Sequence, residues 1–252
     1  MEPPAVRYET RGPVAYLTFD RPHVLNAGDR TFAEAFHAAA ERLGKSPEIR
    51  VVVLTGAGRA FSTGLDLDAL AAGELRYEDL VAWESAMTAI ERLECLTIAG
   101  INGHCIGGGL QMALVCDYRL ASDAALLGLP AVKECLVPSM APYRLPRLIG
   151  LGRAKELILT GELISAARAE AIGLVSRVVV AAEFERALAE TVERFLALPV
   201  GSTLACKRLT AKAFDVGFDE FREEMQAALR LCLTSDEHRA AMIAVRERKS
   251  TP

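Results

Sequence analysis

The 252-residue chain contains 51% hydrophobic and 25% charged residues, a composition that is typical of a globular protein and too apolar for an intrinsically disordered one. Its net charge of -4, with no basic stripe to meet phosphates, argues against a nucleic-acid-binding protein. The 6 cysteines lack C-x-x-C spacing and only 4 histidines accompany them, so neither a zinc site nor a disulfide framework is expected.

The longest uncharged stretch of the sequence needs a membrane check. Between Glu94 and Asp117 there are 22 residues without Asp, Glu, Lys or Arg, which is long enough for a membrane-spanning helix. The stretch also holds Asn102, His104, Gln111 and five glycines, three of them consecutive. This composition favours a buried strand, a glycine turn and a buried helix over a membrane span. The N-terminus lacks the pattern of a signal peptide, and we expect a cytoplasmic protein with free thiols.

Hydrophobic periodicity predicts strands that alternate with helices in the first half of the chain and mostly helices in the second. Asp29 is a candidate N-cap for the first helix, and the nearly all-apolar strand 49–55 is typical of a strand covered on both faces. The sequence therefore predicts an α/β core at 1–195 and a helical region at 196–252. The predicted strands are 14–19, 49–55, 97–101, 118–121, 126–128 and 174–180, and the predicted helices are 29–43, 78–94, 108–115, 153–160, 165–171, 183–197, 202–215 and 218–248, the last broken near 235.

Two segments, 51–70 and 98–122, each combine a buried strand with a glycine-rich turn that opens a helix. Such a turn leaves backbone N–H groups without partners, and glycine lets a ligand approach the main chain. Two such turns side by side can offer two donors to one oxygen, which is the geometry of an oxyanion hole. The alternative is that these glycines serve close packing only. Dinucleotide-binding, P-loop and α/β-hydrolase motifs are absent from the sequence.

Both segments resemble the paired signature of the crotonase superfamily, also called the enoyl-CoA hydratase/isomerase family. Residues 60–67 (AFSTGLDL) are similar to its first motif, and residues 102–109 (NGHCIGGG) are similar to its second. Further similarity follows in family order and extends the resemblance over about residues 14–240, at 21–27, 145–150, 159–161 and 171–175.

The resemblance implies an α/β fold built as a spiral of ββα turns, with a helical C-terminal region that forms a homotrimer or a dimer of trimers. It implies an acyl-CoA thioester of fatty acid metabolism as substrate, with coenzyme A as part of that substrate, no other cofactor and no metal. The oxyanion-hole donors carry over to the N–H groups of Leu65 and Gly108. The substrate-binding positions that carry over are Val24, Leu25, Asn26, Ala60, Thr63, Gly64, Asp66, Leu67, Asp68, Gly107 and Gly109.

The sequence departs from the family's hydratases at the two glutamates that hold a water and move its proton. Gln111 and Ala131 occupy those positions, and neither can act as an acid or a base. Glu134, three residues past Ala131, is a candidate relocated base, the alternative being a surface carboxylate paired with a nearby cation. Glu84, Asp123 and His104 are further candidates for that role.

Two functions are compatible with this sequence. The first is an acyl-CoA-processing hydratase (a lyase) or isomerase that stabilises a thioester enolate, with Glu134 moving a proton and the Gln111 amide binding water or a substrate carbonyl. The second is a non-catalytic acyl-CoA-binding protein on the same fold, which the loss of both glutamates favours. The intact oxyanion motifs favour the enzyme, because a protein that only binds gains little from donors aimed at a transition state.

Overall fold

Within residues 4–250, which a computed structural model describes, the chain forms ten β-strands and eleven α-helices. An N-terminal unit ends at Leu196 and a C-terminal unit begins at Ala197, one residue from the predicted boundary. The strands are β1 (Val6–Arg11), β2 (Val14–Phe19), β3 (Val51–Gly56), β4 (Ala60–Ser62), β5 (Leu96–Ile101), β6 (His104–Ile106), β7 (Tyr118–Ser122), β8 (Leu126–Gly128), β9 (Leu163–Ser165) and β10 (Arg177–Val179). The helices are α1 (Arg30–Gly44), α2 (Leu67–Ala71), α3 (Tyr77–Glu91), α4 (Gly108–Leu114), α5 (Ala141–Ile149), α6 (Leu151–Thr160), α7 (Ala166–Ala171), α8 (Phe184–Leu196), α9 (Val200–Lys212), α10 (Phe218–Thr234) and α11 (Asp236–Ser250).

The strands of the N-terminal unit form two sheets, and the chain passes repeatedly from one to the other. The six-stranded sheet has the order β1-β2-β3-β5-β7-β10, and the four-stranded sheet has the order β4-β6-β8-β9. All neighbours are parallel except β1 with β2 and β8 with β9. The successive pairs β3–β4, β5–β6 and β7–β8 each place one strand in each sheet, which confirms the predicted spiral of an α/β fold.

The larger sheet is buried on both faces, which explains the nearly all-apolar sequence of β3. Val52 and Leu54 point into one hydrophobic cluster, together with Phe19 of the neighbouring strand. Val51 and Val53 point into a second cluster on the opposite face, which helix α8 completes. Alternate residues of one strand thus enter different cores, as expected for a parallel strand covered on both sides.

Helices α1 and α3 pack against each other and cover one face of the larger sheet. Helix α1 begins where the sequence predicts, because the side chain of Asp29 accepts a hydrogen bond from the N–H of Phe32 at 2.9 Å. The Phe32 ring lies 5.0 Å from that of Trp83 in α3, measured between centroids. This contact fixes α3 above the glycine-rich turns.

The uncharged run between Glu94 and Asp117 folds as a strand, a turn and a short helix, as predicted. It forms β5, β6 and the seven-residue helix α4, and most of its residues are buried. Among residues 4–250, no helix is both long enough and apolar enough to cross a bilayer.

The sequence-based assignment is wrong at the predicted strand 174–180, of which only Arg177–Val179 pairs in the sheet. The N–H groups of Leu174 and Val175 instead donate to the carbonyl of Ala169, at 2.8 and 3.2 Å, in the turn that ends α7. Both side chains are buried, so their apolar character reflects the core and not a strand. Five short elements were not predicted at all: β1, β4, β6, β9 and α5.

The C-terminal unit consists of α9, α10 and α11. The carboxylate of Glu237 in α11 accepts hydrogen bonds from the N–H groups of Val200 and Gly201, each at 2.9 Å, and thereby caps the start of α9. Helix α10 exposes large apolar side chains on its surface, among them Phe218 (77% exposed) and Leu231 (74% exposed).

Candidate active site

A cavity of about 630 Å³ lies in the N-terminal unit, between helix α3, the two glycine-rich turns and the segment 130–140. Its walls are mostly apolar, and its volume is in the range of small-molecule binding sites. Several of the predicted site residues lie on its walls, namely Thr63, Leu65, Leu67, Gly107, Gly108, Gln111 and Glu134.

The two glycine-rich turns touch each other at Gly64 and Gly108. Gly64 has φ +88°, and a Cβ atom built on it would lie 2.5 Å from the nitrogen of Gly108. A Cβ atom on Gly108 would lie 3.2 Å from the Cα of Gly64 and 3.7 Å from its carbonyl carbon, which is bonded to the nitrogen of Leu65. Only glycine at position 64 permits both this backbone conformation and this approach.

The N–H groups around this contact divide into those with an acceptor and those without. Thr63 donates to the carbonyl of Leu25 at 3.2 Å, Asp66 to that of Gly28 at 3.0 Å, and Gly107 to that of Gly128 at 2.9 Å. Gly64 donates to the Ser62 hydroxyl at 3.1 Å. Within the described part of the chain, the N–H groups of Leu65 and Gly108 have no acceptor. Because buried or half-buried amides are normally paired, these two are available to a ligand in the cavity.

Asn26 holds together the loops that carry the first turn. Its side chain is fully buried, and its Nδ2 donates to the carbonyls of Ala57, Ala60 and Phe61 at 2.9, 2.8 and 3.2 Å. Its Oδ1 accepts the N–H of Arg21 at 2.9 Å. Because this amide is used internally, Asn26 acts on the site through the backbone it fixes.

Replacing Asn26 with glycine should lower the free energy of unfolding by about 3 kcal/mol, because several buried carbonyls lose their donor. Glycine suits the φ of 57° at this position, so the loss reports the amide and not backbone strain. Chemical denaturation measures it. Asn102→Gly is the comparison, since Asn102 bonds the same loop from a half-buried position and should cost about 1 kcal/mol. Equal losses for the two variants would contradict the role assigned to Asn26.

Arg21 connects the same loops by charge. Its guanidinium lies 2.8 Å from the Asp29 carboxylate and 3.5 Å from that of Asp66, and it also donates to the carbonyl of Ala27. Asp29 caps α1, and Asp66 caps α2 through the N–H of Ala69 at 3.2 Å. Leu65 immediately precedes Asp66, so this network fixes the backbone on which its free N–H lies.

The positions of the two missing glutamates face the same cavity. Gln111, in α4, is 7% exposed, and its Oε1 is buried without a hydrogen-bond partner among the described residues. Ala131 lies in the 3-10 helix Pro130–Glu134 and is half-buried. At these two positions the cavity therefore meets a neutral amide and a methyl group.

Two other side chains bring carboxylates to the cavity wall. Glu134 is exposed at the end of its 3-10 helix, and within residues 4–250 it has neither an ion pair nor a hydrogen bond. Glu84 of α3 is held by the hydroxyl of Ser139 at 2.7 Å and by the guanidinium of Arg144 at 2.8 Å. Glu134 is thus a surface carboxylate, as the alternative expects, but within the described part of the chain it is not paired with a cation. The cavity holds one free and one immobilised carboxylate.

The remaining predicted substrate-binding residues do not line the cavity wall. Ala60, Gly64 and Gly109 are buried behind it, Asp66 caps α2, and Asp68 is exposed on the same helix. Their part in substrate binding, like that of Val24, Leu25 and Asn26, stays a prediction.

A histidine base and a reactive thiol find little support in the site. His104 is not among the residues that line the cavity, and it pairs through β6 with Ala60. Burial raises the pKa of the Cys105 thiol well above its ordinary value, which keeps the group protonated and unreactive. Among residues 4–250, no group of three His, Cys, Asp or Glu side chains is arranged to hold a metal ion.

The site contains side chains that the sequence did not reveal. Trp83, whose spacing with Met87 and Ile90 on α3 is typical of a packing residue, is buried but also lines the cavity, and its ring lies 3.5 Å from the position of a Cβ on Gly108. Ser139 lies in the segment after the 3-10 helix and has φ 39°, a left-handed conformation that disfavours serine. The helical spacing of Trp83 and Met87 could have indicated that both face the same side of α3 and hence the cavity. No sequence signal marks Ser139 as a cavity residue.

A family model and the sequences of known proteins identify the same family for this chain. A model of the family "Enoyl-CoA hydratase/isomerase" matches residues 9–251. A probable enoyl-CoA hydratase of Mycobacterium bovis is 34% identical over 213 residues, which cover 82% of this chain and 81% of that protein. A peroxisomal Delta(3,5)-Delta(2,4)-dienoyl-CoA isomerase of Arabidopsis thaliana is 33% identical over 188 residues, which cover 69% of this chain and 68% of that protein.

Solved structures are similar over nearly the whole chain. The enoyl-CoA hydratase of Bacillus anthracis has a TM-score of 0.89 and 29% sequence identity, and the match covers 97% of this chain and 96% of that one. A candidate enoyl-CoA hydratase of Thermobifida fusca, solved in complex with acetoacetyl-CoA, has a TM-score of 0.83 and 31% identity. That match covers 91% of this chain and 95% of the other.

Proposed function

Because the chain belongs to the enoyl-CoA hydratase/isomerase family, we propose that its cavity is the active site of an enzyme that forms a thioester enolate. The observation that carries the proposal is the pair of unpaired N–H groups, those of Leu65 and Gly108, on two turns in contact at the cavity. Both donate to the thioester oxygen. The thioester of the acetoacetyl-CoA bound to the Thermobifida fusca relative is the kind of group that this arrangement fits.

The two donors lower the barrier to removing a proton from the acyl α-carbon. Removal of that proton places negative charge on the thioester oxygen, where two fixed N–H groups stabilise it. Loss of one such donor typically costs about 3–4 kcal/mol of transition-state stabilisation. The coenzyme A arrives as part of the substrate, and the proposed chemistry uses no other cofactor.

Glu134 is the proposed base of this reaction. It lines the cavity, and its carboxylate has no competing partner among the described residues. A single free carboxylate suffices for isomerisation, in which a proton leaves the α-carbon and returns to the γ-carbon while the double bond moves between them. Hydration needs a second group to hold the attacking water, and Gln111 can do this only as a neutral hydrogen-bonding amide. Isomerisation is therefore the first reaction to test, and hydration the second.

The test is to incubate the protein with 3-enoyl-CoA and 2-enoyl-CoA thioesters of several chain lengths and to measure binding and product for each. We expect turnover of a 3-enoyl-CoA to the 2-enoyl isomer. Tight binding without any product, unchanged in the variant Ala131→Glu, would contradict an enzyme of this family's type. That outcome would favour the alternative, a non-catalytic acyl-CoA-binding protein, which the lack of carboxylates at positions 111 and 131 supports.

A homotrimer or a dimer of trimers is proposed for the assembly, supported by the exposed apolar side chains on α10. Light scattering on the purified protein should give three or six times the mass of 27.2 kDa. A monomeric mass at micromolar concentration would contradict it.

A further inference from the structure

One part of the cavity wall is polar and firmly fixed, although most of the wall is apolar. The Glu84 carboxylate accepts hydrogen bonds from the hydroxyls of Ser139 and Thr88, at 2.7 and 3.2 Å, and lies 2.8 Å from the guanidinium of Arg144. Arg144 is buried and also bonds Glu91 at 2.9 Å. Burial opposes its charge, but hydrogen bonds to Glu91 and Glu84 raise the pKa of the guanidinium overall, so it stays charged.

The Glu84 cluster, which consists of Glu84, Thr88, Glu91, Ser139 and Arg144, presents hydrogen-bond acceptors to the cavity. Glu84, Ser139 and Thr88 all line it, whereas Arg144 and Glu91 are not among the lining residues. The hydroxyl protons of Ser139 and Thr88 are directed at Glu84, and Thr88 Oγ1 also accepts from Arg144 at 3.2 Å, so the free acceptor capacity of the hydroxyls lies chiefly on Ser139. A carboxylate has about four acceptor sites, and the three bonds leave about one of them open.

The open acceptor site on Glu84 can influence which acyl group binds, because the wall around it is apolar. The neighbouring wall residues are apolar, among them Leu80, Val81, Met87, Leu136 and Met140. A purely hydrocarbon acyl chain that filled this space would remove water from the carboxylate and offer nothing in exchange, which is unfavourable. Arg144 pairs with both Glu84 and Glu91, so it offsets only part of the charge of Glu84, whose carboxylate remains an acceptor for a neutral hydroxyl donor.

The left-handed conformation of Ser139 is a second property of this cluster that is typical of a binding site. Its φ of 39° is strained for serine, and such strain is commonly found at ligand-binding positions. The conformation is compatible with the hydrogen bond that its hydroxyl donates to Glu84.

We propose that the cavity selects acyl-CoA thioesters whose acyl group carries a hydroxyl, which donates a hydrogen bond to Glu84 or Ser139. The inference rests on the proposed function, since it takes the cavity as the acyl site. It names the substrate class that the enzyme handles: hydroxylated acyl-CoA, with the hydroxyl on the part of the chain that reaches helix α3 and the segment 130–140.

The test compares octanoyl-CoA with its 6-, 7- and 8-hydroxy derivatives, all saturated and therefore without a double bond to isomerise or hydrate. Binding to the full-length protein is measured by calorimetry and by quenching of the fluorescence of Trp83, the single tryptophan, which lines the cavity. At least one hydroxy derivative should bind about tenfold more tightly than octanoyl-CoA, the lower end for a hydrogen bond to a charged group.

Three variants test which residues cause the preference for a hydroxy derivative. Glu84→Gln and Ser139→Gly should each reduce the preference to about twofold or less while octanoyl-CoA still binds, and glycine suits the backbone at position 139. Glu91→Gln is the matched control, because Glu91 shares Arg144 with Glu84 but does not line the cavity, and it should keep the full preference.

The outcomes separate the two proposals. If octanoyl-CoA binds and no hydroxy derivative binds more than twofold better, the inference is wrong and the proposed function stands. Equal loss of the preference in Glu91→Gln would also overturn it, because the effect would then come from Arg144. If no thioester binds at all, the proposed function fails and the inference fails with it.

Discussion

Replacing Gly64 with alanine should lower kcat/KM by about 10²–10³-fold, the cost of losing one oxyanion-hole donor. The added Cβ would lie 2.5 Å from the nitrogen of Gly108, an impossible distance, so the two turns must separate. The N–H groups of Leu65 and Gly108 would then no longer reach one oxygen. Because the apolar walls of the cavity are unchanged, acyl-CoA binding should weaken much less than turnover. Steady-state kinetics together with a separate binding measurement check this.

Gly173→Ala is the matched control for this prediction. Gly173 has φ +80°, close to the +88° of Gly64, but a Cβ built on it meets nothing within 4 Å. It therefore carries the same backbone strain without the collision, and its kcat/KM should stay within about twofold of the unchanged protein. If both variants lose activity equally, the loss reports general destabilisation and the contact between the turns is not the cause.

Replacing Glu134 with glutamine should lower kcat by about 10²–10⁴-fold, the usual contribution of a positioned acid or base. Glutamine keeps the size of the side chain but cannot accept the proton. Binding should be nearly unchanged, since an exposed carboxylate contributes little to the apolar contacts of the cavity.

Glu162→Gln controls for the removal of an exposed carboxylate outside the cavity, and its activity should be unchanged. Retained activity in Glu134→Gln, combined with loss of activity in Glu84→Gln, would contradict the choice of base. It would indicate that the carboxylate fixed by Arg144 performs the proton transfer.

Much of the fold follows from sequence because its long elements carry clear periodic signals. Strands β2 and β5 and helices α1 and α4 lie within about one residue of their predicted bounds, and α3 ends three residues earlier than predicted. The three-residue strands β4 and β6 were missed because glycines flank each of them, at 58 and 64 and at 103 and 107, and hide so short a pattern, although β8 of the same length was predicted. Helix α5 was missed because Pro146 lies in its interior, where a proline normally interrupts a helix.

The sequence located the glycine-rich turns but could not show which of their N–H groups are free. That depends on acceptors distant in sequence, such as the carbonyl of Gly128 for Gly107 and that of Gly28 for Asp66. The cluster of Glu84, Ser139 and Arg144 was equally inaccessible, since Glu84 lies 55 residues before Ser139 and belongs to a different element from Arg144. Neither feature has a local sequence pattern.

A crystal structure of the protein with a saturated acyl-CoA bound tests the central claim most directly. The nitrogens of Leu65 and Gly108 should both lie within about 3.1 Å of the thioester oxygen. A thioester oxygen bound elsewhere, or reached by only one of the two nitrogens, would contradict the account.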